Sequence, residues 1–77
     1  MATRIKFAAW SPAIQQSDMS SFCTELSLTF VDSDVMNDTV VPYFSLLVSQ
    51  DLVDVNQAAV RSNLSGRGIE GCLFVEV

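Results

Sequence analysis

A chain with room for one small core carries more apolar side chains than that core can take. Hydrophobic residues fill 49% of the 77 positions and charged residues only 17%. At this mass, surface scaling gives about 4,600 Å² accessible when folded against about 12,000 Å² unfolded, so roughly 60% of the chain's surface is buried on folding. One domain over residues 1–77 is expected. Soluble domains average about 25% charged residues, and a small one should exceed that, because more of each residue faces water. Either Ser, Thr, Asn and Gln coat the outside, or part of the outside is covered by other protein. The second reading is adopted, since large exposed apolar patches mark contact surfaces.

Charge narrows the partners. Four basic residues, Arg4, Lys6, Arg61 and Arg67, stand against nine acids, for a net charge of -5. Affinity for nucleic acid rests on several Lys and Arg side chains neutralising phosphates, and four dispersed cations cannot supply it. Direct binding of DNA, RNA or anionic lipid is therefore not expected. The longest apolar stretches, such as Val40 to Val48, are broken by Pro42 and Ser45 and fall short of the ~20 residues a spanning helix needs. Basic residues followed by Phe7-Ala8-Ala9-Trp10 superficially resemble a secretion signal, but Ser11-Pro12 ends the apolar part too early. An intracellular or particle-associated protein is the expectation. Cys23 and Cys72 then read as two buried thiols, a disulfide closing the long loop between them being the alternative.

Hydrophobic periodicity gives the order of elements. Arg4 and Lys6 alternate with Ile5 and Phe7, which predicts a half-buried strand over 3–10. Ser11-Pro12 reads as a helix start, with a short helix or irregular segment ending near residue 20. Ile14, Met19, Phe22, Cys23 and Leu26 could loosely share one helical face. Stricter alternation from Phe22 to Asp32 predicts a strand, and Asp32-Ser33-Asp34 with Asn37-Asp38 predicts a turn. Val40 to Ser49 is apolar on both sides, as in a strand buried twice over, while Pro42 argues for an edge. Residues Ser49 to Leu64 predict a helix capped by Ser49 or Asp51 and stopped at Ser65-Gly66. A last strand, Ile69 to Val77, places Ile69, Gly71, Leu73, Val75 and Val77 on one side and Glu70, Cys72, Phe74 and Glu76 on the other. That order suits an α+β fold: a small single sheet of about four mainly antiparallel strands with one clear helix, of the split βαβ, ferredoxin-like type. The alternative is a mostly-β roll or barrel with the second helix shortened to Asn56–Leu64.

No arrangement of residues announces catalysis. Histidine is absent, which removes the commonest general base and most zinc schemes. Lys6 is the only lysine and falls on the polar side of a strand, and neither cysteine has a basic neighbour in sequence. Asp32, Asp34 and Asp38 with Asn37 offer oxygen ligands, but counting from Asp32 the sixth EF-hand position is Asn37 and the twelfth Tyr43, where Gly and Glu are required. Ser65-Gly66-Arg67-Gly68 could face an anion with backbone N–H groups, yet it follows a helix instead of opening one. No catalytic residue, cofactor or metal ligand is predicted.

Trp10, Tyr43, Phe44 and Phe74 are the predicted contact residues, because large aromatics carry much of the energy at protein interfaces. The functional expectation is a non-enzymatic structural or assembly protein. It would act as a homo-oligomer, or as an accessory subunit, including a capsid-type one, docked on a larger complex. The alternative is a small acidic inhibitor or adaptor that occupies a basic, nucleic-acid-binding site on another protein.

Overall fold

Alternation in the first strand sorts the molecule into an inside and an outside. The computed structural model describes residues 1–8, 19–38 and 41–77, without the side chains at 36–38 and 41–42. The elements are β1 (Thr3–Ala8), α1 (Met19–Glu25), β2 (Phe30–Asp38), β3 (Val41–Val48), α2 (Gln57–Gly66) and β4 (Cys72–Glu76). They form a small α+β fold in which a single open sheet, ordered β2-β3-β1-β4, pairs antiparallel throughout. An open sheet with two helices replaces the roll or barrel considered above.

Ile5 and Phe7 of β1, paired with Leu46 and Phe44 of β3, are buried against Met19, Phe22 and Cys23 of α1 and Val60 and Leu64 of α2. Helices therefore cover one face of the sheet. Phe7 lies between two rings, 5.8 Å from Phe44 and 6.2 Å from Phe22 between centroids. Total accessible surface is 4587 Å², the value expected for a well-folded chain of this mass standing alone.

Five expectations are corrected. The strand predicted over Phe22–Asp32 is α1 in its first part, because Met19, Phe22, Cys23 and Leu26 also fit a helical stripe and that stripe meets the core. The helical segment expected to finish near residue 20 instead runs to Glu25; its predicted start at Ser11-Pro12 lies outside the described residues. The turn expected at Asp32–Asp38 is the body of β2, since pairing with β3 from Phe30 onward overrides the poor strand propensity of Asp. The third strand is not an edge: β3 lies between β2 and β1, with Pro42 next to its first residue, where a missing N–H is tolerated. The second helix starts at Gln57 rather than near Ser49, and Asn56 caps it by accepting from the Ala59 N–H at 3.1 Å.

Both helices end in the same way. After α1, Leu28 N–H donates to the Cys23 carbonyl at 2.8 Å and Ser27 N–H to that of Thr24 at 3.3 Å. After α2, Ile69 N–H donates to the Leu64 carbonyl at 2.9 Å and Gly68 N–H to that of Ser65 at 3.0 Å. These are paired Schellman closures, with a left-handed residue at the turn. Gly68 takes that role at φ 84°, whereas α1 puts Ser27 there at φ 58°. Gln50 then ties β3 to the chain leaving α1, accepting from the Thr29 N–H at 3.1 Å and donating to the Ser27 carbonyl at 3.3 Å.

Candidate protein-contact surface

The face of the sheet away from the helices is built by the other half of each alternation. Register sets out its rows. Asp32, Leu47, Arg4 and Val75 lie side by side across the four strands, and Asp34, Ser45, Lys6 and Leu73 form the next row. Tyr43 lies beside Ala8 in a third row. The first two rows thus each run from an acid on the β2 edge, through β3, to a cation on β1 and an aliphatic residue on the β4 edge.

This open face mixes wet and oily groups. Leu73 is 59% exposed and Tyr43 38%, while Leu47 and Val75 are half-buried. Arg4 reaches across β3, donating from Nη1 to the Ser45 hydroxyl at 2.7 Å. Asp32 and Asp34 accept at 2.8 Å from the N–H groups of Ser33 and Val35. Arg4 and the two aspartates line one shallow hollow of about 40 Å³. Among the described residues, neither Arg4 nor Lys6 has a carboxylate within 4.0 Å; the ion pairs lie elsewhere.

The other two cations are engaged on the helix side. Arg67 pairs with Glu25 at 3.3 Å and receives support from Asn63, whose Oδ1 accepts from Nε at 2.9 Å. Arg61 lies 4.9 Å from the centre of the Phe74 ring and donates to the Cys72 carbonyl at 2.8 Å. The only unpaired side-chain cations among the described residues therefore share one strand at the middle of the open face.

The four aromatic residues predicted for contact are scattered. Tyr43 is on the open face, Phe44 is 8% exposed and belongs to the core, and Phe74 packs on the helix side under Arg61. Trp10 lies outside the described residues. The polar half of the face was legible in part: Arg4 and Lys6 stand out as the polar side of a strand, and the two-residue spacing of Asp32 and Asp34 is strand spacing. Reading those aspartates as a turn hid their place beside β3.

Other chemistry singled out in the sequence finds little support. No cluster of metal-ligating side chains occurs among the described residues. The backbone N–H groups of Arg67, Gly68 and Ile69 are spent on helix carbonyls, so they are not presented to an anion. Cys23 and Cys72 are free thiols. Burial pushes both above the ordinary thiol range, with Arg61 opposing the rise at Cys72. Among the described residues, no helix is long and apolar enough to cross a membrane. No family model, no curated protein and no solved structure matches this chain.

Proposed function

We propose that the chain is a non-enzymatic assembly module that works by protein–protein contact through the open face of its sheet. The observation that carries this reading is the exposure of Leu73 and Tyr43 beside half-buried Leu47 and Val75, on a face that also holds two cations without a carboxylate partner among the described residues. The same βαββαβ order and β2-β3-β1-β4 arrangement support a ferredoxin-like, split βαβ reading of the fold. That likeness implies no particular function.

Magnitudes say what sort of contact this can be. Fully burying one leucine contributes about 1.5–3 kcal/mol, and association costs an estimated 4–15 kcal/mol in lost freedom. A face with a few partly exposed aliphatic residues cannot bind by oiliness alone. Its charges must be matched by the partner, because an unmatched Arg4 or Lys6 would be desolvated without compensation. Cations at the centre also count against the inhibitor reading, in which a basic target would meet Arg4 and Lys6 first.

The test is native mass, measured for the purified chain and in extracts of its natural source. A mass above the 8.4 kDa of one chain, reduced to that value by Leu47→Asp, is expected. A clean monomer in both settings contradicts the proposal.

A further inference from the structure

We infer that the partner seated on the open face is a second copy of this chain, stacked sheet on sheet about a two-fold axis running along β3. The inference rests on the contact role just proposed and adds the identity and geometry of the partner.

Its basis is the order of charges within the rows. A two-fold axis lying between stacked sheets and parallel to their strands keeps each row opposite the same row of the other copy, while reversing its order from edge to edge. Placed over β3, that axis sets β3 on β3 and β1 of one copy on β2 of the other. Register then decides what meets. Arg4 shares a row with Asp32, and Lys6 with Asp34, so each cation of one copy stands opposite an acid of its partner, twice over. Leu47 meets its own symmetry mate at the centre and Tyr43 does so in the third row, while β4, with Leu73 and Val75, lies beyond the partner's β2 edge and outside the paired rows.

The monomer leaves these groups in a suitable state. Neither cation has a carboxylate partner among the described residues, and Arg4 is already tilted over β3 by its bond to Ser45. A two-fold contact must be self-complementary, and among the described residues this face carries two charges of each sign in matching rows. The chain's net charge of -5 would otherwise set two copies against each other.

Size limits the strength. A contact covering about a tenth of the 4587 Å² surface buries roughly 460 Å² per copy, at the low end for specific interfaces. A reversible dimer that loosens as salt screens the pairs is expected.

Two double variants test the geometry by sedimentation equilibrium over a dilution series. Arg4→Glu with Lys6→Glu makes all four paired positions acidic; Asp32→Lys with Asp34→Lys makes all four basic. Each variant alone should dimerise at least about tenfold more weakly than wild type. Mixed in equal amounts they should form a heterodimer of near wild-type strength, because all four pairs again join opposite charges, two of them with the polarity reversed. Recovery on mixing also shows that both variants fold. Variants that dimerise normally by themselves, or a mixture of folded chains that stays monomeric, would overturn the inference. So would a wild-type chain that is monomeric at every concentration. If that monomer still enters a heavier complex in its source extract, and Leu47→Asp releases it, the contact role survives and the second copy is wrong.

Discussion

Leu46 and Leu47 are neighbours in β3, yet one is wholly buried and the other only half so. Leu46 faces Ile5 and the helices; Leu47 faces Arg4 and Asp32 on the open side. The same division runs through β1, where Ile5 and Phe7 are sealed in the core and Arg4 and Lys6 are not. One face of the sheet is thus fixed by packing, and the other by the placement of charge. The difference teaches that the apolar excess of the composition is absorbed unevenly. Two helices suffice to fill one face, and the aliphatic residues left over fall among ions on the other.

The largest effect should come from breaking the packed face. Leu46→Ala is expected to cost about 2–5 kcal/mol, whereas Leu47→Ala should stay within about 1 kcal/mol. Chemical denaturation of the two variants, at concentrations where the chain is monomeric, makes the comparison directly. Equal losses would mean that the two faces are not distinct.

The helix ends sharpen the same comparison at smaller scale, because they fasten the covering layer. Gly68→Ala should destabilise by about 1 kcal/mol: nothing lies within 4 Å of the added Cβ, but φ of 84° penalises it. Ser27→Gly should instead stabilise by about 0.5 kcal/mol, relieving the left-handed strain while adding freedom to the unfolded chain. Thermal melts check both, since 1 kcal/mol moves the midpoint by about 4–8 °C in a domain of this size.

The thiols on the helix side give a pH dependence. Both are raised above the ordinary value of 9.0 by burial, so on alkalinisation the unfolded chain loses its thiol protons first. Stability should be unaffected below about pH 8 and should fall as pH climbs past the ordinary thiol value. Replacing both cysteines with alanine should flatten that fall in pH-dependent denaturation. Reaction with a thiol reagent should reach half-buried Cys72 before Cys23, which is 1% exposed. Open-face variants should leave both behaviours unchanged.

Legibility in the sequence followed the strength of local periodicity. β1, β3 and β4 came through because each alternates or is densely β-branched, and the β-α-β-β-α-β order came with them. Residues 19–32 did not, for a physical reason: Phe22, Leu26, Leu28 and Phe30 satisfy a two-residue period, while Met19, Phe22, Cys23 and Leu26 satisfy a helical one. Tertiary contact with the core, Phe22 against Phe7 included, favours the helix. Likewise Asp32 and Asp34 carry turn chemistry in their side chains, and the hydrogen bonds of Ser33 and Val35 show it used inside a strand. The open face as a whole was not legible, because its rows are assembled from four strands and exist only once register is known.

The most direct test is carbene footprinting of the wild-type chain from dilute to concentrated solution. Leu47 and Tyr43 should label in the dilute sample and become protected as concentration rises, while Ile5, Phe7 and Leu46 stay unlabelled throughout. Labelling of Leu47 and Tyr43 that does not change with concentration would contradict a self-associating open face, and labelling of Ile5 or Leu46 in the folded chain would contradict the division between the two faces.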